Sequence, residues 1–303
     1  MNGWNCGRKR IGDGVFHGPG WRSNGGVAGM RMGYKLARMF RVLKKCYRDG
    51  GVTTVAVAQI ARGDVLRGKT VVVTGGSSGI GFAIAKKCVS EGAKVVITGR
   101  NVEALNRAST QIGALPLAWD VSRVDLAPTK LSEAKNLLGA EIDIVFNNAG
   151  VYSQAEFLDV SEAIWDTIHD TNSKGLFFLC QAIARRWMGS GRKGKIINIA
   201  SNRGILGDTT PYGMSKWGVI CLTRGLGKAL LPKGIIVNGI APGIVATGIN
   251  GIDPAENAFL PNPPSNRVGL PEEIAELAVF LAGDAANHIV GQTIVCDGGS
   301  SLN

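Results

Sequence analysis

Between Lys69 and Ala85 the chain reads KTVVVTGGSSGIGFAIA. The apolar run Val71–Val73 predicts a buried strand of a parallel sheet. It breaks at a glycine-rich turn, Thr74–Gly81, and continues as Ile80, Ala83, Ile84 and Cys88, an apolar face at helical spacing. Strand, glycine turn and helix together place backbone N–H groups and a helix N-terminus around a phosphate. The spacing of Gly75, Gly79 and Gly81 is G-x-x-x-G-x-G, not the commonest G-x-G-x-x-G fingerprint. For a dinucleotide, Gly75 permits the tight turn, Gly79 lets a pyrophosphate approach, and Gly81 lets the helix pack on the strand. The G-x-x-x-x-G-K-[ST] loop of ATPases is absent. Gly75-Gly76-Ser77-Ser78-Gly79 also fits the G-x-S-x-G elbow of α/β-hydrolases, which needs an acid and then a histidine downstream. His288 is the only late histidine, and its segment, AANHIVGQ, carries no other site feature, so the hydrolase reading is disfavoured.

From Lys69 onward, strand and helix patterns alternate to the end of the chain, the mark of a parallel sheet with helices on both faces. Further strands are expected at Lys94–Thr98, Ala114–Trp119, Asp143–Phe146, Lys195–Ala200, Ile235–Ile240 and Gln292–Val295. Helices are expected at Val102–Ile112, Leu131–Leu138, across most of Ser161–Met188, at Pro211–Leu231 and at Pro271–Ala282. The predicted fold class is therefore α/β, a doubly wound parallel sheet of the Rossmann type, in a single domain over residues 68–303. Pro242–Arg267, rich in Gly, Pro and Asn, reads as a mobile flap.

The formal charge of +11 suggests nucleic acid until it is located. Of the 34 Lys and Arg, 14 lie in residues 1–69 with only Asp13, Asp49 and Asp64 against them, leaving 20 charges of each sign in the remainder. No nucleic-acid partner is expected for the core. Residues 1–33 read as a disordered or non-native leader, without the apolar core of a secretory signal. Residues 34–67 form a basic helical extension. Tyr34–Arg48 is a basic helix with Leu36, Met39, Phe40 and Leu43 on one face, and Thr53–Ile60 a possible extra strand. Docking of that helix on an anionic membrane surface is the less favoured reading; packing of its apolar face on the domain is preferred. Six scattered cysteines without C-x-x-C or clustered histidines weigh against a zinc or disulfide framework and suit a reducing cytosol. No apolar run approaches the ~18 residues of a membrane span.

Two constellations carry chemistry. The second predicted strand ends Thr98-Gly99-Arg100-Asn101, where a carboxylate would bind a free ribose 2′-hydroxyl. Arg100 in its place favours a 2′-phosphate, hence NADP(H), with NAD(H) as the alternative. Tyr212 and Lys216 lie at i and i+4 on one helix face. A lysine ammonium beside a phenol lowers its pKa from about 10 and equips it to exchange a proton. Ser201 ends the fifth strand, where ligands gather in open α/β sheets.

In order and spacing, the run Thr74–Gly81, Asn147-Asn148-Ala149-Gly150, Ser201, Tyr212-x-x-x-Lys216 and Pro242-Gly243 resembles the short-chain dehydrogenase/reductase family over about Leu66 to Ser301. The resemblance implies a catalytic set of Asn172, Ser201, Tyr212 and Lys216. Tyr212 would be the general acid/base, Lys216 would hold the nicotinamide ribose, Ser201 would orient the substrate oxygen, and Asn172 would support a water-linked proton relay. The implied cofactor site comprises Gly75, Ser77, Ser78, Gly79, Ile80, Gly81, Arg100, Asp120, Val121, Asn147, Ala149, Gly150, Tyr212, Lys216, Pro242, Gly243 and Thr247. Asp120 and Val121 would face the adenine, Asn147 and Gly150 the adenine ribose, and the Pro242–Thr247 loop, with Ile240, the nicotinamide. Two departures stand out. Ser78 is not basic, unlike its counterpart in many NADP-preferring relatives, and Ser201 precedes Tyr212 by only 11 residues, which shortens the loop between them.

The expected protein is a cytoplasmic NADP(H)-dependent oxidoreductase that interconverts a ketone and a secondary alcohol, in the style of 3-oxoacyl-carrier-protein reductases. The alternatives are an NAD-linked alcohol or sugar dehydrogenase, and a non-catalytic cofactor-binding regulatory protein. A homodimer or homotetramer is expected, paired through Ser161–Met188 and Pro211–Leu231. The substrate wall is expected from Asn250, Ile252, Phe259 and Leu260, joined by Ile205 and Leu206. The absence of Arg or Lys between Pro242 and Arg267 weighs against a strongly anionic substrate.

Overall fold

A computed structural model describes residues 63–247 and 257–302, together with 39–41, 43–44, 46–48 and 50–51. The chain divides into two compact units, Met1–Leu43 and Lys44–Asn303. Of the first, the described residues are helical and exposed. The leader, the Thr53–Ile60 strand, Asn250 and Ile252 lie outside the described residues, as does part of the basic helix.

The second unit holds seven strands among the described residues: β1 (Thr70–Thr74), β2 (Lys94–Gly99), β3 (Leu115–Ala118), β4 (Ile144–Asn147), β5 (Gly194–Ile199), β6 (Ile235–Pro242) and β7 (Thr293–Cys296). All pair in parallel, in the order β3-β2-β1-β4-β5-β6-β7. Parallel strands need crossovers, and helices supply them: α1 (Gly79–Ser90), α2 (Val102–Ile112), α3 (Ala127–Leu138), α4 (Glu162–His169), α5 (Leu176–Gly189), α6 (Pro211–Leu230) and α7 (Pro271–Ala282). Every residue of β1 is buried because helices cover both faces of the sheet. Side chains alternate across a strand. Val71 and Val73 accordingly enter a cluster with Ile84, Leu105 and Ile274 of α1, α2 and α7, while Val72 enters the opposite cluster with Leu131, Leu179 and Val219 of α3, α5 and α6.

Local signals set the element ends. Asn101 Oδ1 accepts from Ala104 N at 2.9 Å to cap α2, which stops at Gly113 in the left-handed region (φ 74°). Thr210 caps α6 through Gly213 N, and Pro211 follows at the first helical position, where its missing N–H costs nothing. Ser161–Met188 is helical along most of its length, as expected, with one detail the spacing does not give: a π-helical stretch, Asp170–Gly175, separates α4 from α5. Strand and helix periodicities are readable from apolar spacing, but a single extra residue per turn leaves no comparable trace in it.

The sheet order reverses between β1 and β4, since the chain winds outward from β1 to β3 and then crosses back. Loops at the carboxyl ends on either side of such a switch point diverge and leave a crevice. The predicted catalytic and cofactor-site residues lie at the carboxyl ends of the strands, on the loops beyond them or on the helical stretches that follow.

Candidate active site

The first wall of the crevice is the turn after β1. Gly75 (φ 65°) and Gly79 (φ 55°) occupy the left-handed region that side chains disfavour. Gly81 faces the Gly75 carbonyl and the Asn148 amide so closely that no Cβ would fit between them. Its closeness serves turn and loop, a finer role than the helix-on-strand packing expected for it. Ser78 precedes α1 in extended conformation, and its side chain makes no capping bond. The first-turn N–H groups of α1 are thus left open to an outside acceptor, the arrangement that binds anions. Ser77 lies against Gly99 at the end of β2. The next residue, Arg100, is exposed and has no hydrogen-bond or ion-pair partner among the described residues. An unpaired guanidinium beside an open helix N-terminus fits a phosphate.

Asn148, which sequence reasoning passed over, braces this turn. Its Nδ2 donates to the Thr74 and Gly75 carbonyls at 2.9 and 3.1 Å, and Thr74 Oγ1 accepts from the Asn148 and Ala149 N–H groups, each at 3.0 Å. The turn after β1 and the loop after β4 are one hydrogen-bonded unit. Asn147 behaves differently from its neighbour. Its side chain turns into the core, where Nδ2 donates to Asn198 Oδ1 at 2.8 Å, and Asn198 Nδ2 donates to Thr223 Oγ1 at 2.9 Å. This chain ties β4 and β5 to α6. Asn147 Oδ1 is buried without a hydrogen-bond partner, and the residue borders a small recess shared with Thr74, Val121, Ala149, Leu176 and Leu179. A ribose contact expected of Asn147 is therefore not one its side-chain amide reaches out to make. Asp120 is half-buried at the end of β3, its Oδ1 accepting from Ser122 N and Oγ at 3.0 and 2.8 Å, and Val121 is buried beside it.

The second wall is made by β5, α6 and the π-helical stretch. Asn172 Nδ2 donates to the Val151 carbonyl (2.9 Å) and Ser215 Oγ (3.1 Å), while its Oδ1 accepts from Val151 N (2.8 Å). A Cβ on Gly150 would stand 3.3 Å from Asn172 Oδ1 and 3.5 Å from Lys216 Nζ, so the loop after β4 passes directly over both groups. Lys216 Nζ donates to the Ile199 carbonyl at 2.9 Å, and burial pushes its amine down to about 8. Ser201 follows β5 and caps the short turn after it; its Oγ accepts from Arg203 N at 3.2 Å, and its hydroxyl lies near enough to the Tyr212 phenol to favour the charged form. The Tyr152 ring meets the Tyr212 ring edge-on, with centroids 5.2 Å apart. Pro242 closes β6, Gly243 packs on Asp297, and Thr247 lies 3.3 Å from where a Gly79 Cβ would stand, which brings the β6 loop over the first wall.

The electrostatics differ from the sequence expectation. Lysine proximity was expected to depress the Tyr212 phenol. Burial instead raises it above its ordinary value, and the opposing pulls of the nearby Ser201 hydroxyl and the Arg203 charge do not overcome that. Lys216 lies 5.6 Å from the ring centroid and spends a proton on the Ile199 carbonyl. The groups that do lower the phenol, Ser201 and Arg203, come from the loop after β5, whose closure spacing alone does not reveal.

Asn172, Ser201, Tyr212 and Lys216 are thus brought together at the carboxyl end of the sheet, facing the glycine turn across the switch point. Among known proteins, the model of the family described as "Enoyl-(Acyl carrier protein) reductase" matches residues 75–301. The chain is 40% identical over 248 residues to the 3-oxoacyl-[acyl-carrier-protein] reductase FabG of Chlamydia trachomatis, covering 78% of this chain and 98% of that protein. It is 36% identical over 255 residues to a sorbitol dehydrogenase of Cereibacter sphaeroides, covering 78% and 99%. The crystal structure of a short-chain type dehydrogenase/reductase from Mycobacterium marinum superposes with a TM-score of 0.72 at 34% identity, covering 78% of this chain and 97% of that one. The chain is an oxidoreductase and belongs to the short-chain dehydrogenase/reductase family.

Proposed function

We propose that this protein is an NADP(H)-dependent reductase that interconverts a ketone and a secondary alcohol, with Tyr212 as its acid/base. The observation that carries the reading is the placement of Tyr212 beside Ser201 and buried Lys216, whose Nζ lies 5.6 Å from its ring, opposite a phosphate-ready turn. The glycine turn, the open N-terminus of α1 and Arg100 would hold the pyrophosphate and the 2′-phosphate. Asp120 and Val121 would flank the adenine, and Pro242, Gly243 and Thr247 the nicotinamide. The bound cofactor would supply or accept the hydride.

The chain's own groups handle the substrate oxygen and its proton. The Ser201 hydroxyl orients that oxygen towards the phenol. A phenol raised above its usual value stays protonated at neutral pH, so Tyr212 stands ready to donate to the oxygen of a carbonyl under reduction. Alcohol oxidation needs the opposite charge state. Lys216, whose amine is already depressed towards neutrality, exchanges protons easily, and the Asn172 amide fixes the loop at Val151 along the path outward.

Purified protein mixed with NADPH or NADH and a ketone panel tests this reading. Oxidation of NADPH in preference to NADH, abolished by Tyr212→Phe, supports it. Oxidation of NADH in preference identifies an NAD-linked dehydrogenase instead. Cofactor binding without turnover of any substrate indicates a regulatory protein.

A homo-oligomer also belongs to this reading. A groove of about 560 Å³, lined by His169, Phe177, Phe178, Trp217 and Cys221 among others, runs between the π-helical stretch, α5 and α6, away from Tyr212. Apolar side chains of this size left exposed on two helices suit burial against a second copy. Light scattering of wild type against Trp217→Glu tests it: a dimer or tetramer that the substitution splits is the expected result.

A further inference from the structure

Arg203 and its partners carry an inference about the substrate. This cluster builds on the ketone reductase reading and adds a chemical class to it. The short helical turn Asn202–Gly204 that follows Ser201 projects Arg203 beside the reacting groups. The Arg203 N–H caps Ser201 Oγ at 3.2 Å, and its guanidinium shares Tyr152 with the Tyr212 ring. Arg203 Nε donates to Asp208 Oδ2. Asp208 is fixed in turn, because its Oδ1 accepts from Thr210 N and Oγ1 at 2.8 Å each and its side chain packs on Gly213 in the first turn of α6. Both carboxylate oxygens are therefore committed within the protein.

The exposure of the pair is lopsided. The Asp208 side chain is 4% exposed and that of Arg203 is 41% exposed, so the exposed end is positive although the pair is neutral. Asp208 takes the Nε edge of the guanidinium, which leaves the Nη1–Nη2 fork without a carboxylate among the described residues. A planar fork held rigid from behind matches a second carboxylate in bidentate geometry. The charge on that fork also lies close enough to pull down the Tyr212 phenol. The cation lies on the β5 loop, outside the Pro242–Arg267 segment, so the lack of Arg or Lys in that segment does not bear on an acidic substrate. Arg267 itself is taken up by Glu273 at 2.6 and 2.8 Å.

We infer that Arg203, seated on Asp208, is a specificity-determining residue that binds a carboxylate on the substrate, so that the carbonyl compound reduced at Tyr212 is an oxo acid.

The test compares oxo acids with their primary amides, 2- and 4-oxopentanoate against the matching amides, using full-length wild type, Arg203→Gln, Arg203→Lys and Asp208→Asn. Each protein is assayed with both cofactors, and melting temperatures report folding. The readout is the acid-to-amide ratio of kcat/KM. The wild-type ratio is expected to be at least tenfold for one chain length, to fall near one in Arg203→Gln through a rise in KM for the acid, and to be intermediate in Arg203→Lys and Asp208→Asn. A wild-type ratio at or below one overturns the inference and leaves the reductase reading standing. So does an Arg203→Gln variant that loses acid and amide activity in equal proportion, since that marks a role in holding the loop alone. No turnover of any member with either cofactor overturns the reductase reading and this inference together.

Discussion

The two walls of the crevice are built on different principles. The wall formed by β1, α1 and the end of β2 is a backbone device: positive-φ glycines, uncapped N–H groups, and an Asn148 amide bridging two main-chain carbonyls. The wall formed by β5, α6 and the π-helical stretch is a side-chain device: Asn172 bonds Ser215, Arg203 bonds Asp208, and Ser201 and Lys216 stand beside the Tyr212 phenol. A backbone device of this kind favours one kind of group, an anion, whatever side chains surround it. A side-chain device can be retuned one residue at a time, which suits a surface that decides what is reduced.

The largest effect should fall on the second wall alone. Tyr212→Phe is expected to lower kcat by about 10²–10⁴-fold, the span of lost acid/base catalysis, while dissociation of NADPH measured by fluorescence stays within a few-fold. Equal loss of binding and turnover would erase the division between the walls. The same residue gives a pH test. Because its phenol is raised, reduction should stay flat from about pH 6 to 8, whereas alcohol oxidation should climb through alkaline pH. A flat oxidation profile would remove Tyr212 from the proton path.

The support beneath the first wall should break next. Lys87 of α1 pairs with Glu91 at 3.0 Å and with Glu276 of α7 at 2.9 Å, all on the far side of α1 from the glycine turn. Burial alone would raise the Glu91 carboxyl, but Lys87 and the N–H groups of Val65 and Gly63 outweigh it and hold it low. A carboxyl lowered in the folded state stabilises the protein above its unfolded value of about 4.5 and loses that contribution as pH falls through the folded value. Glu91→Gln is expected to cost about 3 kcal/mol by thermal or urea unfolding at pH 7, with the difference from wild type shrinking under acid. A difference that grew as pH fell would contradict this account.

A smaller effect tests selectivity of the first wall. Arg100→Ala is expected to lower the NADPH-to-NADH ratio of kcat/KM by about tenfold, roughly 1.4 kcal/mol, without altering preference among ketones. Asn148→Ala should raise the KM for cofactor by a few-fold, because losing a bridging donor costs about 1–3 kcal/mol, part of it absorbed by the remaining Thr74 bonds.

Legibility in the sequence follows the same division. Seven strands, the helices and their order could be read from apolar periodicity, since buried parallel strands are near-continuous apolar runs and their connections are helical. The glycine turn was legible too, because only glycine suits φ near +60° and its spacing survives in one line of text. Contacts across the crevice were not. Nothing in the sequence separates Asn147, buried against Asn198, from Asn148, bridging the turn. The Arg203–Asp208 pair is five residues apart in a loop without periodicity, and becomes visible only once the loop is closed on α6. The sign of the Tyr212 shift was missed for a related reason: sequence identifies a neighbouring lysine but gives no measure of how thoroughly both groups are dehydrated.

The π-helical stretch Asp170–Gly175 has a consequence for how the site can vary. An α-helix advances about 100° per residue, and a π turn absorbs one surplus residue within an otherwise regular helix. Deleting that residue would restore a continuous α-helix and rotate α4 against α5 by about a quarter turn. Asn172 would swing away from Val151 and Ser215 even though no side chain of the site had changed. The chain's length at this point is therefore itself a specification of the active site, one that no comparison of residue types, position by position, would register.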